Sequence, residues 1–200
     1  MTLIKPLLIG TGNRDKAREL AELLEGLPWT VQTLADYPSV PAPEEDGQTF
    51  EANALLKARY YSQQFAVPCV ADDSGLMVDS LGGAPGVLSA RYAGEECDYD
   101  KNNEKLLGEL SERMWHERAA RFVCCAAFAA PDGRTHVETG TCAGHIAAEC
   151  FGQKGFGYDP IFVPEGYDLT FGEMSPLEKH ALSHRGEAFR KIRKFLETWA

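Results

Sequence analysis

Apolar positions along the chain fall into two rhythms, one of strands and one of helices. Residues 3–10 are rich in Leu and Ile and read as a short buried strand. Over residues 15–24, Ala17, Leu20, Ala21 and Leu24 recur at helical spacing, and Gly26 and Pro28 end that helix. Residues 29–34 predict a second strand. Residues 36–47 contain Pro38, Pro41 and Pro43 and read as a loop. A long helix is predicted over 48–65, turning Phe50, Ala54, Leu55, Ala58 and Tyr61 toward a core. Residues 68–71 and 76–81 are apolar runs, so Asp72-Asp73-Ser74-Gly75 is expected between two strands.

Farther on, Gly82-Gly83-Ala84-Pro85-Gly86 demands a tight loop. A helix is expected over 98–110 and a long strand over 119–130. Pro131-Asp132-Gly133 then turns the chain into a partner strand from Arg134. Residues 152–157 are glycine-rich, 161–163 form a short strand, and 187–199 form an amphipathic helix with Phe189, Ile192, Phe195, Leu196 and Trp199 on one side. Helices alternate with strands before a long hairpin, which predicts an α/β fold with a mixed sheet. Residues 1–200 are expected to form a single domain of two lobes around a cleft.

Composition narrows the choices. A chain of 200 residues with 44% hydrophobic and 25% charged residues is ordinary globular material. No apolar run approaches the length of a membrane span, and the N-terminal stretch is too short for a secretory signal, so a cytoplasmic protein is expected. The net charge of -10 argues against nucleic acid and anionic membrane as partners, while leaving room for a small anion on clustered cations. The six cysteines show no C-x-x-C pair and no zinc spacing, so buried free thiols are expected.

Three separated segments carry candidate chemistry. Thr11-Gly12-Asn13-Arg14-Asp15-Lys16 follows a strand and opens a helix, where backbone N–H groups and the helix dipole favour an anion. It is not a Walker A loop, because no second glycine precedes Lys16 and no Ser or Thr follows it. Asp72 and Asp73 are neighbours on an extended chain and point to opposite sides, so one of them is expected to face a ligand. With Glu44 and Glu45 they offer oxygen ligands of the kind magnesium takes, and a carboxylate able to orient or deprotonate a water. As an isolated feature, Glu44-Glu45-Asp46 reads first as a solvated acidic loop, and Asp72-Asp73 beside Gly75 is the stronger candidate.

Phe156-Gly157-Tyr158-Asp159 places two aromatics and an acid in a glycine-rich loop, where an aromatic face can stack on a base. His184 and Arg185 add donors. Core packing is the other reading of Phe156 and Tyr158, and a solvated charge that of Lys179. His180 and His184, four apart, would suit a metal pair on one helix, although no third ligand is apparent.

Taken together, these segments resemble the inosine/xanthosine triphosphate pyrophosphatases, the Ham1-like family. The resemblance runs from Thr11-Gly12-Asn13 with Lys16, through Thr49-Phe50-Glu51-Ala52-Asn53-Ala54-Leu55-Leu56-Lys57-Ala58, to Ala71-Asp72-Asp73-Ser74-Gly75-Leu76. It continues through Gly82 to Gly86, Ser89-Ala90-Arg91-Tyr92, Gly155-Phe156-Gly157-Tyr158-Asp159-Pro160, Glu178-Lys179 and Ser183-His184-Arg185-Gly186. It implies a magnesium-dependent hydrolase that converts dITP, ITP or XTP to the monophosphate and pyrophosphate. It also implies an elongated mixed sheet flanked by helices, two lobes around a nucleotide-binding cleft, and a homodimer. Phosphate binding would fall on Thr11, Gly12, Asn13, Arg14, Asp15 and Lys16. Asp73 would be proton acceptor and magnesium ligand, Glu44 a further ligand, and Ser74 would lie beside the substrate. Base recognition would fall on Phe156, Gly157, Tyr158, Asp159, Lys179, His184 and Arg185.

The implied discrimination has a physical logic. Hypoxanthine and xanthine carry an oxo group where adenine carries an amino group, and a donor such as Arg185 pairs only with the former. Two other functions compete: a related pyrophosphatase for modified pyrimidine or methylated nucleotides, and a nucleotide sensor without chemistry. The Ser183-His184-Arg185 block argues against the first, and intact Asp73 and Lys16 argue against the second.

Overall fold

In the computed structural model, which describes residues 5–94 and 97–199, the strands are Lys5–Ile9 (β1), Trp29–Thr33 (β2), Cys69–Val78 (β3), Ala119–Ala129 (β4), Thr135–Ile146 (β5) and Phe162–Pro164 (β6). They form one sheet in the order β2-β1-β3-β4-β5-β6. At one edge β1 runs parallel to both β2 and β3, with Lys5 opposite Trp29 and Leu8 opposite Cys69. At the other edge β5 and β6 are antiparallel, with Gly144 opposite Pro164. The turn between β4 and β5 is closed by the Gly133 N–H on the Ala130 carbonyl at 2.9 Å. The sheet is therefore mixed, as the element order predicts. Leu3 and Ile4, at the head of the first expected strand, lie outside the described residues.

Five α-helices are described among these residues: Arg14–Leu23 (α1), Phe50–Phe65 (α2), Tyr99–Glu109 (α3), Pro176–Leu182 (α4) and His184–Thr198 (α5). Two elements differ from expectation. The two strands expected around Asp72-Asp73-Ser74-Gly75 are one continuous strand, β3. Its carboxylates sit inside a strand because each has a lysine partner, which offsets part of the usual penalty for a buried charge. The C-terminal helix begins at His184 rather than at residue 187, and α4 precedes it. A capping box of Ser175 and Glu178 with Pro176 starts α4, and Ser183 in extended conformation (φ -70°, ψ 153°) stops it. His180 and His184 therefore do not share a helix, and the helical metal-pair geometry is lost.

The chain divides into two compact units, each assembled from separated segments. The first comprises Met1–Asp73, Cys124–Gly140 and Glu187–Ala200, and the second Ser74–Val123 and Thr141–Gly186. In the first, Leu7 and Ile9 of β1, Leu20 and Leu24 beside α1, Phe128 of β4, and Phe189, Ile192 and Leu196 of α5 share one core. In the second, Leu76, Val78, Leu106, Phe122, Ile146, Phe162 and Phe171 form another. A fully buried side chain of this size contributes about 1.5–3 kcal/mol, so these clusters outweigh any single polar contact described below. All six cysteines are free; Cys69, Cys124, Cys125 and Cys142 are buried as expected, but Cys97 and Cys150 are exposed. Among the described residues, no helix is long and apolar enough to cross a membrane.

Candidate active site

The first unit carries the phosphate-type and acid groups. After β1, residues 10–13 turn the chain into α1, and Asn13 caps the helix. Its Oδ1 accepts the N–H groups of Asp15 at 2.9 Å and Lys16 at 3.1 Å, while Thr11 Oγ1 accepts the Asn13 N–H at 3.2 Å. The oxygens of Thr11 and Asn13 thus shape the turn itself. An anion here would rely on the remaining N–H groups of the turn, the helix dipole and the Lys16 ammonium. Gly10 lets β1 approach its neighbours closely: a Cβ there would lie 2.6 Å from Cys69 Sγ and 2.9 Å from the Tyr61 ring.

The parallel register of β1 and β3, with Ile9 opposite Val70, carries the Thr11 turn alongside Asp72. Lys16 Nζ lies 3.2 Å from Asp72 Oδ2, and the Cys124 thiol donates to the same oxygen at 3.8 Å. Asp72 is fully buried, so it serves to hold Lys16 in place. Asp73 faces the opposite way, as alternation along a strand requires, and meets α2. Its Oδ1 accepts from Lys57 Nζ at 3.0 Å and its Oδ2 from Asn53 Nδ2 at 3.3 Å. Lys57 also donates to Glu45 Oε2 at 2.7 Å.

Burial pushes the Asp73 carboxyl above the usual carboxylate value against the opposing pull of Lys57 and Lys16. Burial pulls Lys57 down, yet Asp73, Asp72 and Glu45 together outweigh it and raise that ammonium. The causes differ: burial, with a smaller push from Glu45, raises Asp73, whereas the three surrounding carboxylates raise the Lys57 ammonium.

In the second unit, Phe156 is the centre of the candidate base-reading group. Its ring is overlain by Lys179 Nζ at 4.9 Å and the Arg185 guanidinium carbon at 5.5 Å, with the Tyr99 ring 5.9 Å away. Arg185 Nη2 donates to Ser74 Oγ at 2.7 Å. Asp159 is a latch rather than an open acid: Oδ2 accepts from Lys179 Nζ at 2.6 Å and from the Phe156 N–H at 2.8 Å. Gly155 has φ +72°, and a Cβ there would fall 2.0 Å from that carboxylate. Asn103 of α3 donates to the Gly157 carbonyl at 2.9 Å and fixes the other side of the loop.

The predicted residues thus fall into different environments. Phe156, Asp159, Lys179, Arg185 and Ser74 come together. Tyr158 turns away: its hydroxyl donates to the Ser89 carbonyl at 2.8 Å, its ring joins the core, and burial raises its hydroxyl. His184 is buried and stacks on Phe122 at 4.5 Å between centroids. Arg14 and Asp15 open α1, and Gly12 has open space around it. Glu44 is exposed, and the loop acid that reaches Lys57 is Glu45.

A family model described as the Ham1 family matches residues 7–195. The chain belongs to the Ham1 family. A dITP/XTP pyrophosphatase of Bacillus cereus is 46% identical over 201 residues, covering 100% of this chain and 98% of that protein. One from Geobacter sulfurreducens is 46% identical, covering 95% and 96%. Among solved structures, a HAM1 protein from Coxiella burnetii superposes with a TM-score of 0.87 at 37% identity, covering 96% of this chain and 98% of that one. The Staphylococcus aureus Ham1 protein gives 0.85 at 38% identity, with the same coverage.

In this Ham1 chain the residues present fit a hard divalent cation. Among the described residues no group of three His, Cys, Asp or Glu side chains stands ready to hold a metal. Magnesium does not need one, since it takes one or two carboxylates and completes its shell with water and phosphate oxygens. Asp73 is a carboxylate of that kind, and the acidic loop can supply a second. Sequence reasoning assigned no role to Asn53, Lys57 or Asn103. The first two stand four apart on α2, and their burial is the signal: an Asn and a Lys inside an apolar helix face must have partners.

Proposed function

We propose that the chain is a nucleoside triphosphate pyrophosphatase that hydrolyses dITP, ITP and XTP to the monophosphate and pyrophosphate, and so clears deaminated purines from the nucleotide pool. One observation carries the reading: consecutive carboxylates on β3 hold separate lysines, Asp72 holding Lys16 and Asp73 holding Lys57. This separates a fixed cation for phosphate from an acid with raised proton affinity. The substrate class is supported by the relatives named dITP/XTP pyrophosphatase at 46% identity over nearly the whole chain.

A water attacks the α-phosphorus, its proton passes to Asp73, and the bond from that phosphorus to the α,β-bridging oxygen breaks. Pyrophosphate leaves with the bonding electrons. Lys16 and the turn at residues 11–16 hold phosphate oxygens. Asp73 and Glu44 of the acidic loop would hold magnesium, which would supply charge neutralisation on the phosphates. Phe156 offers a face to the purine, while Arg185, oriented by Ser74, donates to the oxo group. Lys179 fixes the loop through Asp159. The chain acts in the cytoplasm as a homodimer, as the resemblance to the inosine/xanthosine triphosphate pyrophosphatases implies.

Initial rates of pyrophosphate release from ATP, GTP, dITP, ITP and XTP, with and without magnesium, test the proposal. Preference for the deaminated nucleotides, lost on chelation, is expected. Equal rates on all five, or phosphate in place of pyrophosphate as product, would overturn it.

A further inference from the structure

Asn53 is a polar side chain in a place where polarity is costly. It is 3% exposed, in the first turns of α2, beside Ala54 and Ala58, which are fully buried. A buried carboxamide is tolerated when its donors and acceptor are paired. Here Oδ1 accepts the Gly47 N–H at 2.8 Å, and Nδ2 donates to the Gly47 carbonyl and to Asp73 Oδ2, each at 3.3 Å. The amide has one workable orientation. Turned over, its oxygen would face the Asp73 carboxylate and its NH2 would face the Gly47 N–H.

Gly47 ends the acidic loop that carries Glu44 and Glu45. The close approach of loop and side chain requires glycine: a Cβ there would lie 2.4 Å from Asn53 Oδ1 and 3.0 Å from Ala52 Cβ. One helical turn later on α2, Lys57 makes a second bridge of the same form, from Glu45 to Asp73. Positions i and i+4 of one helix thus tie the same loop to the same carboxylate twice, once through the backbone and once through charge.

The geometry points to Asn53 as a positioning residue: with Gly47 it sets where the acidic loop stands relative to Asp73, and so sets the seat of the divalent cation. This rests on the proposed reading of Asp73 and the loop acids as metal ligands. Asn53 itself need not touch substrate or metal. Its carboxamide is an outer partner of a ligand, and loss of such partners costs about 10–100-fold in metal affinity.

The test measures Mn2+ binding to the nucleotide-free protein by electron paramagnetic resonance, alongside steady-state kinetics with ITP. Gly47→Ala leaves every acidic side chain and Asn53 in place, and Asn53→Leu keeps the volume without adding charge while removing the ties to Gly47 and Asp73. Each is expected to weaken Mn2+ binding at least about tenfold and to lower kcat, with KM for ITP held within about twofold. In an Asn53→Ala background, where the clash is gone, Gly47→Ala should add little. Tyr60→Phe removes a different tie from α2 to this loop, the hydroxyl donated to the Pro41 carbonyl at 2.8 Å, and should leave Mn2+ binding unchanged.

Parental Mn2+ affinity and kcat in Gly47→Ala and Asn53→Leu would overturn the assignment. So would a loss of melting temperature alone, or a parent chain that takes up no Mn2+ at millimolar concentration. Failure of the parent to release pyrophosphate, with the Mn2+ pattern intact, would instead overturn the proposed reaction and leave the positioning role standing.

Discussion

Arg185→Ala is the most discriminating perturbation of base selection. Arg185 is 3% exposed as a residue, and its guanidinium is held by Ser74 Oγ at 2.7 Å and lies over Phe156, so it meets a ligand with little remaining freedom. A charge-assisted hydrogen bond from such a group to an oxo acceptor is worth about 1.5–3 kcal/mol. At ~1.4 kcal/mol per decade, its loss should narrow the ratio of specificity constants, ITP over ATP, by about one to two decades. The lost packing against Phe156 affects both nucleotides and cancels in the ratio, as does any fraction of unfolded protein. Ser74→Ala keeps the guanidinium but removes its holder, so it should narrow the ratio less. The assay is pyrophosphate release under kcat/KM conditions for both nucleotides in the parent and each variant. An unchanged ratio with both rates lowered would refute the reasoning and move base selection to Phe156 and its loop.

Asp73→Asn should abolish turnover while nucleotide binding, measured by calorimetry, survives; near-parental hydrolysis would remove Asp73 from the chemistry. Lys16→Ala should raise KM and lower kcat to the same degree for ITP, XTP and dITP, because phosphate is common to all, and a base-dependent change would contradict that. In metal-free protein, the raised proton affinity of Asp73 favours folding below its ordinary value of 3.8, and the advantage is lost as pH rises through the folded value. Urea unfolding from pH 3 to 8 should therefore show Asp73→Asn gaining on the parent as pH increases, and a gap that closes instead would reverse the sign. Gly152→Ala should destabilise the fold, because φ is +78° and a Cβ would lie 2.1 Å from the Gly172 backbone; a melting temperature equal to the parent would contradict it.

Periodicity was enough to locate α1, α2 and α3, and the β4–β5 hairpin is marked by the long apolar run of β4, buried on both faces over Cys124 to Ala129, and by the Pro131-Asp132-Gly133 turn that follows. It failed at β3, where the charged pair looks like a break. The partners that make the strand possible, Lys16 and Lys57, lie far away in sequence. It failed again at α4, whose start depends on a capping box rather than an apolar stripe. The candidate site divides in the same way. Thr11 to Lys16 and Arg185 are legible as chemistry at element ends, and Asp73 as one of a carboxylate pair, although it sits inside β3. Asn53 and Lys57 are not, since a polar residue in a helix ordinarily faces solvent, and only tertiary burial shows otherwise. Tyr158 errs in the opposite direction, an aromatic suited to stacking that the fold places in its core.

The core that supports β1 has a consequence for the order of synthesis. Leu7 and Ile9 pack with Phe189, Ile192 and Leu196 of α5, the Trp29 indole donates to the Leu196 carbonyl, and Arg193 donates to the carbonyls of Leu23 and Glu25. The strand that leads into the Thr11 turn is translated well before the helix that buries it. A nascent or prematurely terminated chain lacking α5 therefore exposes this face to chaperones and proteases. A fusion that clamps or crowds α5 would slow maturation of β1 and of the turn that β1 leads into.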